Sequence, residues 1–131
     1  MNRDVVEQWC NALESGEYKQ GRGVMRDRDD NYCCLGVLCD LAVKAGVIGE
    51  PIQPMYSRGY GYGESITMSA LLPYEVQDWV DIESCDPELR YWDDGVYRES
   101  SCTFENDCGD RDFTGIAALI RANYLEPADV S

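Results

Sequence analysis

Seven cysteines, a run of tyrosines spaced by glycines, and a crowd of carboxylates are the side chains through which this 131-residue sequence could do chemistry. Histidine is absent, so neither a Ser–His–Asp triad nor a Cys–His pair can form. Cys33 and Cys34 fall at the start of an expected helix, where the helix dipole would lower a thiol pKa, but no base lies beside them to complete a nucleophile. Zinc would need four thiolates or carboxylates, and Cys85, Cys102 and Cys108 lack the C-x2-C pairing of such sites. Asp27, Asp29 and Asn31 imitate the opening of a calcium loop. Tyr32 then stands where the sharp turn needs glycine, and Leu38 where a bidentate glutamate should close the site. Thirteen acids between Glu75 and Asp112 include many carboxylate pairs, yet crowding is not the fixed separation that glycoside chemistry needs. The expectation is a binding protein, not an enzyme, with no catalytic residue, metal or cofactor.

The candidate binding element is Pro54-Met55-Tyr56-Ser57-Arg58-Gly59-Tyr60-Gly61-Tyr62-Gly63. Glycines let backbone N–H groups approach phosphate oxygens, tyrosine faces stack on bases, and an arginine grips a phosphate bidentately. The expected ligand site is Tyr56, Arg58, Tyr60 and Tyr62 together with Arg22 and Arg26, holding a small nucleotide-like ligand. Arg28 would add positive charge if it converged with them. The plainer alternative is a surface loop whose tyrosines pack on the domain.

The elements that must position these residues follow from hydrophobic spacing. Val5, Val6, Trp9, Ala12 and Leu13 recur at helical intervals, with Asn2 or Asp4 as cap and Ser15-Gly16 as stop. Tyr18 to Arg26 reads as a short strand, 27–31 as a polar turn, and Tyr32-Cys33 as the return. Residues 33–45 form a nearly all-apolar helix closed by Gly46, with Asp40 and Lys44 paired on its one polar stripe. Glycines and prolines break 48–65 into a long loop. Ile66–Leu72 suggests a short strand. Pro73 opens a helix with Val76, Trp79 and Val80 inward. Asp93-Asp94-Gly95 between aromatic and β-branched residues signals a hairpin, and Asn106-Asp107-Cys108-Gly109 a second turn. A last helix runs from Phe113 to Tyr124, capped by Asp112, with Phe113, Ile116, Ala117, Ile120 and Tyr124 as its buried stripe. Together these give one α+β domain over 1–131: three to four helices packed around a small antiparallel sheet, with 33–45 as the buried central helix.

The net charge of −14 repels nucleic acid and anionic membrane at range, so neither is an expected direct partner. The acids concentrate in 75–112, against Arg90, Arg98 and Arg111 alone. That half of the chain is the alternative docking face, suited to a basic partner protein. The N-terminus lacks the apolar region of a secretory signal, and the longest apolar run, Cys33 to Cys39, is far too short to span a bilayer. An odd number of cysteines, several of them among leucines and valines, fits reduced thiols in a cytoplasmic protein.

Trp9…Ala12-Leu13…Ser15-Gly16…Tyr18…Gln20 and Tyr32-Cys33-Cys34-Leu35-Gly36-Val37-Leu38-Cys39-Asp40-Leu41-Ala42…Gly46 resemble a widespread family of small bacteriophage- and prophage-encoded proteins of unknown function. Leu72-Pro73…Val76…Trp79-Val80 and Asn106-Asp107…Gly109 match that family less tightly. The family's closing helix usually opens Ser-Phe-x-Glu-Ile. Here Asp112-Phe113-Thr114-Gly115-Ile116 lacks the N3 carboxylate of a capping box. The resemblance implies a phage accessory role in the host bacterial cytoplasm, and such proteins often counter host defence. It transfers no catalytic residue. Together with the tyrosine–glycine loop it gives the leading expectation, sequestration of a nucleotide-derived, cyclic immune signal without cleavage, in a site that a homo-oligomer would build between subunits. The alternative is an acidic interaction module that inhibits a host protein, one that itself binds nucleic acid.

Overall fold

The computed structural model describes residues 1–52, 59–63 and 70–125. Helix α1 (Arg3–Glu14) forms on the expected stripe, burying Val5, Val6, Trp9, Cys10 and Leu13. Of the two available caps Asn2 is used, its side-chain oxygen accepting from the Val5 N–H at 3.3 Å. The Trp9 indole N–H donates to the Cys34 carbonyl at 2.8 Å and ties α1 to the central helix.

That central helix, α2 (Cys34–Lys44), buries seven of its first nine residues and confirms the expected spine. Its polar stripe holds the expected pair, with Lys44 Nζ 3.2 Å from Asp40, and the Tyr18 hydroxyl donates to the same carboxylate. Gly36 is required by a close approach: a Cβ there would overlap the Met25 carbonyl, lying 2.6 Å from its carbon.

The segment before α2 follows the suggested strand and return only in part: the chain does return antiparallel, the Asp27 N–H donating to the Asn31 carbonyl at 2.9 Å and the Cys33 N–H to the Met25 carbonyl at 3.1 Å, but the strand ahead of it is two residues long. Strands β1 (Lys19–Gln20) and β2 (Asn31–Tyr32) run parallel. The chain between them makes an excursion held by Asp27, whose carboxylate accepts from the Asp29 and Asn31 N–H groups at 2.9 and 3.0 Å. This side-chain turn turns the chain so that Arg26, not the start of the strand, bridges antiparallel to Tyr32.

Helix α3 (Tyr74–Val80) starts just after Pro73, one residue later than expected, and buries Val76 and Val80 while Trp79 is half-buried. Strands β3 (Glu88–Asp93) and β4 (Val96–Ser101) form the expected hairpin. Asp94 and Gly95 both take positive φ, 51° and 81°, as a two-residue type I′ turn demands. The second expected turn is present only in its second half: the chain turns at Cys108 and Gly109, while Asn106 and Asp107 belong to a short helix, α4 (Cys102–Asp107). Two side chains satisfy its first N–H groups: Ser101 accepts from Phe104 at 3.3 Å and Asp86 from Thr103 at 3.0 Å. Caps this good make a helix of a segment whose own periodicity is too brief to reveal one. Helix α5 (Phe113–Ile120) is capped by Asp112, which accepts from the Gly115 N–H at 2.9 Å, and continues into a single π-helical turn over Arg121–Leu125. The strand expected over Ile66–Leu72 falls mostly outside the described residues, and 70–72 is not extended sheet.

The fold is therefore α+β, with five helices and, among the described residues, one parallel and one antiparallel pair of strands. No described helix is long and apolar enough to cross a membrane.

The thiols are mostly core. Cys10, Cys33, Cys34, Cys39 and Cys102 are buried, Cys85 is half-buried and Cys108 exposed. Burial pushes Cys10 up to about 11 and also raises Cys33 and Cys39, while contact with Cys102 and burial raise Cys34. Desolvation thus overrides the helix dipole, and the helix-start cysteines are inert thiols. A thiol reagent is expected to modify Cys108 at once, Cys85 more slowly, and the other five only on unfolding. Because folding raises these pKa values, the stability they carry is complete below the unfolded thiol value of about 8.5 and is lost as pH climbs towards 11. Denaturation midpoints should fall across that window, and Cys10→Ala should flatten part of the fall.

Candidate functional site

The residues expected to bind a ligand are only partly brought together. Tyr56 and Arg58 lie outside the described residues. Tyr62 is fully buried, so its ring is a core side chain with no face open for stacking. Its hydroxyl has no well-formed hydrogen bond among the described residues, and burial raises its pKa while the nearby Arg26 opposes the rise. Arg26 does meet Tyr60, its guanidinium 4.4 Å above that ring and 5.4 Å from the Tyr32 centroid. The same guanidinium is held by Asp30 at 2.8 and 2.9 Å. This sandwich ties the 59–63 segment to the excursion before β2, as does the hydrogen bond from the Tyr60 N–H to the Arg26 carbonyl at 2.9 Å. Gly59 serves close packing, since a Cβ there would lie 2.7 Å from the Val24 Cβ.

Arg22 turns elsewhere. Its guanidinium donates to the Asn106 and Asp107 carbonyls at 2.9 and 3.0 Å, closing the C-terminal end of α4. A cavity of about 570 Å³ beside it is lined by Arg22, Val24, Asp27, Arg28 and Asp29. Among the described lining residues, two aspartates face the two arginines, so these four charges sum to zero.

A groove of about 940 Å³ lies between the hairpin and α4. Ser101 ends β4 and caps α4, so strand and helix diverge from one point and enclose the groove. Its floor is the buried Glu105, only 2% exposed. One carboxylate oxygen accepts from the Ser100 and Tyr91 hydroxyls at 2.7 and 2.9 Å, and the other from Arg111 Nε at 3.0 Å. Arg111 also stacks over the Tyr91 ring at 4.7 Å. Burial and the bond to Glu105 raise the Tyr91 pKa, so its hydroxyl stays a donor at neutral pH. With every oxygen partnered, Glu105 is a rigid structural acid and not a free general base.

The walls differ from the floor. Among the described residues, Asp93 is paired with Arg98 at 3.1 Å, Glu99 reaches only Arg90 at 3.8 Å, and Asp110 makes no ion pair. Against the lining carboxylates Asp93, Glu99, Glu105 and Asp110 stands one lining arginine, Arg98. Large apolar side chains lie at the rim: Phe104 is 54% exposed, Tyr97 46% and Trp92 70%, the last two in ring contact at 5.3 Å. Exposed aromatics beside carboxylates that outnumber the lining arginine suit a cationic, partly apolar partner. The sequence had marked 75–112 as an acidic docking face without resolving a groove. A usable signal was Val96-Tyr97-Arg98-Glu99-Ser100-Ser101, a strand after a strong turn with too little apolar alternation to be covered on either face.

The family described as domain of unknown function (DUF8296) matches residues 1–124. No curated protein and no solved structure matches the chain.

Proposed function

The chain belongs to the DUF8296 family, and from the geometry of its surface we propose that it is a binding protein whose acidic hairpin–α4 face docks on a basic partner protein and blocks it. The observation that carries this reading is the groove itself: an open strand edge and exposed aromatics set among carboxylates that outnumber the one lining arginine, with Asp110 in no ion pair among the described residues. In the phage setting that the sequence resemblance implies, the partner is a host protein whose own basic surface serves another ligand. Catalysis has no support in the groove, because its one buried acid is already saturated with hydrogen bonds.

A cationic peptide is the simplest probe. Its affinity should fall steeply as ionic strength rises, since rim carboxylates act through screened electrostatics. Charge reversal of Asp93, Glu99 and Asp110 to lysine is expected to weaken binding by about tenfold or more, a loss of about 1.4 kcal/mol. Reversal of Asp4, Glu7 and Glu17, which changes the net charge equally on exposed positions away from the groove, should leave affinity within about twofold. Equal losses from both sets would reduce the effect to net charge and overturn the reading.

Sequestration of a nucleotide-derived signal keeps one supporting observation. Arg28 is exposed, makes no ion pair among the described residues, and lines the 570 Å³ cavity. A rise in melting temperature with cyclic nucleotides that Arg28→Ala removes would favour this second reading over docking.

A further inference from the structure

We propose that β4 is a strand-addition edge: an extended segment bearing lysine or arginine pairs with Tyr97 and Glu99 as a third strand of the hairpin sheet. This rests on the docking reading above and specifies the partner's conformation. The type I′ turn fixes the phase of the ladder. Asp93↔Val96, Tyr91↔Arg98 and Leu89↔Ser100 are the pairs that exchange hydrogen bonds, and the Cys102 N–H continues the series to the Pro87 carbonyl at 3.0 Å. The alternate residues therefore point their peptide groups outward: Glu88, Arg90 and Trp92 on β3, Tyr97 and Glu99 on β4.

The two edges are treated differently. On β3 the π-helical turn covers both outward groups of Arg90 and the Glu88 carbonyl. Asn123 accepts from the Arg90 N–H at 2.9 Å and donates to the Arg90 carbonyl at 3.1 Å, and the Tyr124 hydroxyl donates to the Glu88 carbonyl at 2.8 Å. On β4 the peptide groups of Tyr97 and Glu99 have no partner among the described residues, and Val96 to Glu99 are exposed. Folded proteins blunt such edges with proline, lysine, a bulge or a covering segment. Among the described residues β4 has no proline, lysine, bulge or covering segment, only the charges of Arg98 and Glu99, and its six residues match the length of an ordinary strand. An edge left open beside a capped twin is the geometry of β-augmentation.

Charge selects the occupant. A strand laid along β4 runs past Glu99 and Asp110 and beside the Trp92–Tyr97 rings, so it needs cationic side chains with apolar stems or neighbours. A second copy of this chain fits poorly, because edge-to-edge pairing would bring two net charges of −14 together.

The test uses acetylated heptapeptides alternating lysine and valine, compared with a lysine–glycine peptide of equal charge. The alternating peptide should bind tighter than about 1 mM and at least about tenfold tighter than the glycine peptide, which has little strand propensity. Methylating one alternate set of its amides should abolish binding, and methylating the other set should not. Glu99→Pro removes an outward N–H at a tolerated edge position and should abolish binding, whereas Glu99→Ala should weaken it only several-fold. Bound peptide should shield Cys108, which lines the groove, from a thiol reagent. An unchanged melting temperature for Glu99→Pro shows that the hairpin is intact. Equal binding of both peptides with no effect of either methylation would overturn strand addition while leaving docking on a basic partner standing. Binding of neither would overturn both, and a dimer that Glu99→Pro dissociates would make the occupant a second copy and overturn the proposal.

Discussion

Gly36→Ala is expected to cost about 3 kcal/mol or more, enough to leave much of the protein unfolded at moderate temperature. An alanine in mid-helix ordinarily gains about 1 kcal/mol over glycine, so the expected sign runs against propensity. The reason is steric and specific to this packing. The added carbon would overlap the Met25 carbonyl, 2.6 Å from its carbon and 3.1 Å from the Met25 Cα. That carbonyl cannot move aside, because it accepts from the Cys33 N–H at 3.1 Å and Met25 is fully buried. Gly49→Ala is the control: nothing lies within 4 Å of its Cβ position and its φ is not positive, so its effect should stay within about 0.5 kcal/mol. Chemical denaturation of both variants decides it. A Gly36→Ala protein as stable as the parent would contradict the close approach of α2 to the Met25 backbone.

Asn106→Ala is expected to be comparably damaging, at about 3–5 kcal/mol. Asn106 is fully buried and uses its whole hydrogen-bonding capacity. Its oxygen accepts from the Cys34 N–H at 3.2 Å and from Gln20 at 3.1 Å. Its amide donates to the Gly21 carbonyl at 2.8 Å and to Asp107 at 2.9 Å. One side chain thus joins α4, the start of α2 and the segment after β1. Truncation strands two buried backbone groups at about 1–3 kcal/mol each and opens a cavity besides. Asn106→Asp is the sharper variant. It keeps the acceptors but turns a carboxylate on the Gly21 carbonyl and on Asp107, so its folded pKa should lie above the unfolded one. Its deficit relative to the parent should therefore shrink as pH falls and the new acid gains a proton to donate. A deficit that grows on acidification would contradict the network.

The parts of the fold legible in the sequence are those that one strong local signal specifies. The α1 stripe, the apolar run of α2, the Asp-Gly turn and the Asp112 cap each fix their element with no help from distant residues. What escaped depends on long-range partners. α4 owes its first turn to Asp86, sixteen residues before the helix it caps and so beyond any local pattern. The parallel pairing of β1 with β2 depends on Asp27 folding its own turn. The tyrosine–glycine run shows the limit most clearly. Composition suits a ligand loop and a packed loop equally, and it could not tell that Tyr62 is buried or that Arg22 and Arg26 are committed to α4 and Asp30. Asn106-Asp107 was visible as a motif, but its meaning as a junction is a property of the three segments it joins.

The acid-rich half was legible as a charge and not as a shape. Thirteen carboxylates between Glu75 and Asp112 read as a solvated or docking surface. Only the hairpin phase, with one edge bonded to Asn123 and Tyr124 and the other bare, turns that charge into a directional site. The π-helical turn takes on a role here too, since it brings Asn123 and Tyr124 against β3.

Amide hydrogen exchange at single-residue resolution, with and without the alternating lysine–valine peptide, tests the site most directly. In the free protein the Tyr97 and Glu99 amides should exchange fast while those of Tyr91 and Arg98 are protected within the hairpin. On binding, Tyr97 and Glu99 should become protected and the amides of residues 22–28 should not change. Fast exchange at Tyr97 and Glu99 in the complex, or protection that appears instead around Arg22 and Arg28, would contradict the account.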